Sequence, residues 1–464
     1  MNGVKNIPVI LTSLFLSTLA SYGASTTSEY SEGNAAQPDG NIRLIVTTDL
    51  GGSDPDDIQS MIHLLVCSDR IDIEGLISSE AWVDDPDKTE KLRQTVESFI
   101  EVLPTLRIHS SGYPSAEYLR SIVAQGQDKP HMDGVGEGKD SPGSDLIVDA
   151  LRKDDCRPLW VAAWGGMNTV AQALHKLKTT NDDETFRTFI SRLRIYDILG
   201  QDDAGAYIAK SYPELVYIRN TEVYGWAPND QWTKENIQNH LLLGAHYPNR
   251  IWATEGDSPS FLYVYSNGLN DPEHPEYGGW GGRFSKDRIK NIRGMDFIER
   301  SGKDEKVFDD YYMIGSAPEG IQSIKRWEEA IHNDFAARMI WTQEKDFEKA
   351  NHHPVAAYNG DIGRNPVYLY ANPGDAVILS ASGSYDPDND EFEYFWHVYE
   401  EPSNYVGKII CDGSNERDCR IIVPERVGDD GIHIILEVSD KGSPRLTSYR
   451  RIIIKNTNNY QHVK

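Results

Sequence analysis

Ile42-Arg43-Leu44-Ile45-Val46-Thr47-Thr48-Asp49-Leu50-Gly51-Gly52-Ser53-Asp54-Pro55-Asp56-Asp57 is the stretch on which the fold turns. Its first seven residues, Arg43 apart, are β-branched or apolar, the pattern of a strand covered on both faces. Gly51-Gly52 breaks the run, and Asp57 to Cys67 has the period of a helix. Outward from there the same alternation recurs. Ile71 to Ser78 reads as a strand, Thr89 to Leu103 and Asp145 to Arg152 as helices, Leu159 to Ala163 as a strand and Asn168 to Lys178 as a helix. Strand-then-helix spacing of this kind predicts βαβ units: an α/β fold with a mostly parallel open sheet and flanking helices. Ligands of such sheets bind beyond the carboxyl ends of the strands, so chemistry is expected in the loops after Thr48, Ser78 and Ala163.

The chain has 464 residues and a net charge of −26, too long for one ordinary domain and too acidic to favour phosphate backbones or anionic lipids. Nucleic acid and membrane are therefore not expected as partners. The apolar run from Ile7 to Ala20 behind Lys5 is shorter than the roughly 20 residues a spanning helix needs and reads as a signal peptide over residues 1–24, which predicts a secreted, extracellular protein. Past His352-His353-Pro354 the texture changes to short strand-like runs, such as Ala376 to Ser380, Glu393 to Val398, Ile432 to Val438 and Arg451 to Ile454, bounded by Gly, Pro, Asp and Asn. An all-β sandwich follows. The expected domains are 41–350 and 355–460. Of the four cysteines, Cys67 and Cys156 read as structural, while Cys411 and Cys419 flank a turn-rich loop that a disulfide would close in an oxidising compartment.

Asp49, Asp54, Asp56 and Asp57 place four carboxylates within nine residues. In a cleft they would repel one another unless a cation sat among them, and a hard, oxygen-loving ion such as Ca²⁺ suits them. The alternative is an acidic turn with a helix cap.

Three segments carry a resemblance to a known family. The strand ending at Asp49 with its Asp56-Asp57 pair and Ile73 to Ser79, the stretch Leu159 to Ala171, and Met132-Asp133-Gly134-Val135-Gly136 are together similar to the nucleoside hydrolases. Glu255 to Leu262 and Asp271 to Phe284 resemble, more narrowly, a nucleoside-hydrolase-like family with an immunoglobulin-like tail typified by a bacterial cellulose-binding protein. The resemblance implies a Ca²⁺ held by Asp49, Asp57, the carbonyl of Trp164 and Asp257, with Asp54 as an alternative to Asp49. It implies catalytic roles for Asp49 and Asp56, with Asp56 facing the ligand, and substrate contacts at Asn168 and Asp202. Glu255, beside Asp257, is counted among the substrate contacts, and it either supports the metal or caps a helix. Trp82 is expected at the mouth of the site. Trp280, in the glycine-spaced run Tyr277 to Phe284, is either a sugar-stacking ring or a core plug.

The sequence departs from true nucleoside hydrolases at Thr47, at Gly256, where several have a histidine suited to protonating a leaving base, and at Gln201-Asp202-Asp203, which replaces a sugar-binding run. Two functions are therefore expected. One is a secreted hydrolase of N-glycosyl or related glycosidic bonds using a Ca²⁺-activated water. The other is a non-catalytic binder of cellulose-type polysaccharide on the same fold, so the partner is a small glycoside or a polysaccharide. In the tail, Asp386-Pro387-Asp388-Asn389-Asp390 reads as a tight turn that either holds a structural Ca²⁺ or is a plain Asx-turn.

Overall fold

The structure is a computed structural model that describes residues 40–51, 54–79, 86–291 and 311–457. The expected signal segment and Trp82 lie outside the described residues. The α/β part is built on strands β1 (Ile42–Thr48), β2 (Ile71–Ser78), β3 (Val123–Gln125), β4 (Leu159–Ala163), β5 (Leu193–Ile198) and β6 (Val216–Asn220). They lie in the order β3-β2-β1-β4-β5-β6, and every pairing is parallel. Successive residues of each strand face opposite layers. Leu44, Leu76 and Trp160 join the core beneath helices α1 (Asp56–Val66) and α2 (Lys88–His109), while Ile45, Ile77 and Val161 join the core beneath α4 (Pro142–Arg152) and α5 (Met167–Thr180). α3 (Ala116–Ser121), α6 (Asp183–Arg192) and α7 (Asp203–Ser211) complete the repeats. Among the described residues, no helix is long and apolar enough to cross a membrane.

The strand order reverses between β1 and β4, and that reversal opens a crevice at the carboxyl ends of the sheet. α1 starts at the crevice with Asp56 and Asp57 in its first turn, where the free N–H groups of a helix favour negative charge. After β4 the chain turns through Gly165 and Gly166, the latter in the left-handed region at φ 67°. A side chain at Gly165 would stand 2.8 Å from the carboxylate of Asp49, so only glycine lets the two strand ends approach this closely.

The C-terminal part is strand-rich and mixed. Phe392–Tyr399, Ile432–Asp440, Thr447–Asn456 and Val367–Ala371 form one four-stranded sheet, and Ala376–Ser380 pairs with Asp418–Ile422 across a core holding Trp396, Cys419 and Ile452. Its other face packs on the α/β part. Arg451, fully buried, donates to the carbonyls of Leu269 and Gly278 at 2.9 and 2.7 Å, and Tyr449 meets Trp280 edge to face. Cys411 and Cys419 are free thiols close enough to hydrogen-bond to each other. The Asp386 turn is an Asx-turn: Asp386 Oδ1 accepts from the N–H groups of Asp388 and Asp390, and Asp388 accepts from His352 through both backbone and ring.

Candidate functional site

A cavity of about 850 Å³ opens at the reversal point, within the size range of ligand pockets. Asp49, Asp54, Asp56, Asp57 and Asp257 line it together with Gln201, Tyr224 and Trp252. The carboxylates arrive from three places: the end of β1, the first turn of α1, and the loop before the helix Ser258–Val264. Oxygens of Asp56, Asp57 and Asp257 lie within 4.8 Å of one another, and all three residues are buried. Asp56, which the resemblance turned toward the ligand, thus joins the oxygen cluster as well. Asp49 lies against the backbone of Gly165, next to Trp164, whose carbonyl accepts from Gln201 Nε2 at 2.6 Å. Asp54 lines the same cavity, with a buried Oδ1 that has no hydrogen-bond partner.

The electrostatics follow from this packing. Burial, then repulsion from Asp49 and Asp56, pushes Asp57 well above the usual carboxylate range, and a hydrogen bond from Thr48 only partly offsets it. Burial and repulsion from Asp57, Asp56 and Asp49 do the same to Asp257. Asp56 is pushed up to about 7, by burial first and then by Asp54 and Asp49. Burial also raises Asp54, against the backbone amides of Ala253, Trp252 and Asp56, which favour its charge. A set of hard oxygens whose ionisation is held back by burial and by one another is the donor chemistry a divalent cation matches. The residues therefore fit the Ca²⁺ that the fold family implies.

Other expected site residues are placed elsewhere. Glu255 does not line the cavity: it accepts from Tyr247 Oη at 2.6 Å and Ser258 Oγ at 3.0 Å, pairs with His63 Nδ1 at 2.6 Å, and donates its N–H to Gln59. Burial alone would raise its pKa, but the attraction of His63 and these hydrogen bonds outweigh burial and hold it low. Glu255 thereby fastens the Asp257 loop to α1 and is a positioning residue. Asn168 is buried, with its amide donating to the carbonyl of Lys129 and accepting from Ser79 and Thr169. Asp202 caps α7 and accepts from the N–H of Asn168. Both brace the loops behind the cavity and are not among the described residues that line it. Trp280 is 1% exposed, stacked on Tyr265 at 5.3 Å and sealed under Tyr449. It is a plug at the junction with the sandwich and presents no face to a sugar.

Tyr224, Trp252 and Arg250 line the cavity without having been singled out from the sequence. The available signal was a tryptophan in a turn-rich run five residues before Asp257. Gly256 has its own explanation: a Cβ there would stand 2.6 Å from Asp56 Oδ2 and 2.8 Å from the Tyr224 ring, so Tyr224 fills the space a side chain would need.

Sheet order, reversal-point cavity and carboxylate cluster define a nucleoside-hydrolase-like α/β protein with a C-terminal β-rich domain. Residues 43–284 match the family described as cellulose-binding Sde182, nucleoside hydrolase-like domain, and residues 376–456 match the cellulose-binding protein Sde0182, C-terminal domain; the chain belongs to this family. It is similar to a solved nucleoside hydrolase-related hypothetical protein from Saccharophagus degradans, described as associated with carbohydrate metabolism. The two are 44% identical with a TM-score of 0.86 over 90% of this chain and 100% of that one. The effector protein XOO4466 overlaps 65% of this chain and 95% of its own at 9% identity and a TM-score of 0.37, too low to carry an argument. No curated protein matches the sequence.

Proposed function

We propose that the protein is a secreted carbohydrate-binding protein that takes a sugar of a cellulose-type polysaccharide into the carboxylate cavity. The observation that carries this reading is the convergence of buried, mutually repelling carboxylates on an open cavity at the switch point of the sheet. Asp49, Asp57, Asp257 and the carbonyl of Trp164 would hold Ca²⁺, with Asp56 beside them. Ca²⁺ takes six to eight oxygens, so this set leaves positions that ring hydroxyls of a sugar can fill. The family's printed description as cellulose-binding and the relative's association with carbohydrate metabolism support the choice of ligand. The short apolar run near the N-terminus and the net charge of −26 support export and a neutral partner.

One observation favours a second reading, a hydrolase of N-glycosyl or related glycosidic bonds. Asp56 faces the cavity, and burial with Asp54 and Asp49 pushes its carboxyl up to about 7, toward the range a general acid or base works in. Bound Ca²⁺ would supply Lewis-acid activation of water. Against this reading, Tyr224 occupies the space beside Gly256, the position where a leaving-group histidine is expected. Full-length protein incubated with Ca²⁺ and either nucleosides or cello-oligosaccharides separates the two. Binding without release of base or reducing sugar supports the binder, sustained release supports the hydrolase, and neither binding nor release contradicts both.

A further inference from the structure

Trp252 is 76% exposed and Tyr224 48%, whereas Trp160, Trp164, Trp226, Trp280 and Trp396 are all at most 1% exposed. Both exposed rings belong to the carboxylate cavity. Tyr224 packs beside Gly256 and Asp56, between floor and rim, and Trp252 stands at the rim. Trp252 is not on a loose strap. Its neighbour Arg250 pairs with Asp230 at 2.6 Å, and its backbone amide and that of Ala253 act on Asp54, so the acidic loop and the aromatic loop are tied to each other. An indole left in water forgoes about 25 cal/mol for each Å² it would otherwise bury, and a ligand that covers it recovers that energy.

We propose that Trp252 and Tyr224 form a stacking platform that admits the end of a neutral, β-linked, gluco-configured glycan, its last residue reaching the carboxylates. The inference rests on the carbohydrate reading above and adds the ligand's configuration and direction. In a β-glucopyranosyl ring every ring substituent is equatorial, so both faces are flat arrays of axial C–H that pack against an aromatic ring. An axial hydroxyl, as in mannose or galactose units, interrupts one face. Asp57 and Asp257, 6% and 3% exposed, lie deep in the cavity that Trp252 rims, so a chain end entering past the ring would be the part to reach them. Four aspartates around one divalent ion leave a net negative floor, which repels uronic acids.

The test is calorimetric titration of the full chain, in Ca²⁺, with cellohexaose, mannohexaose and oligogalacturonate, using wild type, Trp252→Ala and Tyr224→Ala. Wild type is expected to bind cellohexaose most tightly and oligogalacturonate not at all. Each variant is expected to lose about tenfold in cellohexaose affinity, within the range of aromatic stacking, and Trp252→Ala, at an exposed position, to keep the wild-type melting temperature. Cellohexaose capped at its non-reducing end and cellohexaose reduced at the other identify which end enters, because only the blocked entering end weakens binding. Unchanged affinity in both alanine variants overturns the platform while leaving the carbohydrate reading standing. Equal affinity for all three glycans, or for both end-modified forms, overturns the stated configuration and direction. No binding of any glycan by wild type overturns the carbohydrate reading itself.

Discussion

Two sets of buried aspartates in this molecule have opposite fates. Asp334, in the helix Glu328–Trp341, is 0% exposed and accepts from Arg338 at 2.9 Å and from His353 at 2.6 Å, while Arg338 also reaches Asp69 at 2.6 Å. Burial alone would raise its pKa, but Arg338 and His353 outweigh it and hold the carboxyl well below the usual range. Asp257 is as thoroughly enclosed, yet its strongest influences after burial are four other carboxylates, and its pKa goes up. The first cluster carries its own cation within the fold. The second has no cation of its own among these influences, which is why an external one is proposed for it. Burial of an acid is therefore uninformative until the sign of its neighbours is known.

Substitutions should separate the two sets by sign. Asp334→Asn leaves Arg338 buried without its full countercharge and is expected to cost about 3–5 kcal/mol in urea unfolding. Trp280→Ala, at the junction, falls in the same class, about 3–5 kcal/mol, through the cavity it leaves. Asp257→Asn in EDTA should do the reverse and stabilise by about 1–2 kcal/mol, because it removes a carboxyl that at neutral pH folding must either protonate or bury charged among others. A loss of stability there would break the comparison. Asp386→Ala removes the acceptor of an Asx-turn and should cost about 1 kcal/mol while leaving any response to Ca²⁺ intact. Trp252→Ala should change stability by no more than about 0.5 kcal/mol, measured in the same unfolding series.

Much of the fold is legible in the sequence because β4 is apolar throughout and β1 and β2 keep runs of apolar residues past Arg43, Asp72 and Glu74. Leu159–Ala163 and Ile71–Ser78 have the boundaries their composition predicts. β5 and β6 escape such a reading because they carry Arg194, Asp197 and Arg219, polar residues that in the structure neutralise one another or pair with Glu273. α2 runs past its expected end at Leu103, through Pro104 to His109, because Leu106 continues the buried face. At the site, the Asp49 to Asp57 loop is legible as carboxylates with nothing local to neutralise them, whereas Asp257 is reached only through the family resemblance. Asn168, Asp202 and Glu255 are harder to place because a polar residue near a strand end has the same composition whether it braces a loop or faces a ligand, and only its hydrogen-bond partners show what it holds. Trp280 and Trp252 show the same limit. Glycines flank the first because side chains at 279 and 281 would run into Asn270 and the backbone of Pro259 and Tyr263, whereas the second lies in an ordinary turn.

The proposed divalent-cation site of Asp49, Asp57 and Asp257, with Asp56 beside them, is tested most directly by melting the full-length protein with Ca²⁺ and with EDTA, wild type beside Asp57→Asn, with elemental analysis of the purified chain. An ion bound only by the native state adds about 2.7 kcal/mol at about a hundred times its Kd. Wild type should therefore melt several degrees higher in Ca²⁺ and carry the metal, and Asp57→Asn should respond much less. Identical melting of wild type in both conditions, with no metal found, would contradict the account.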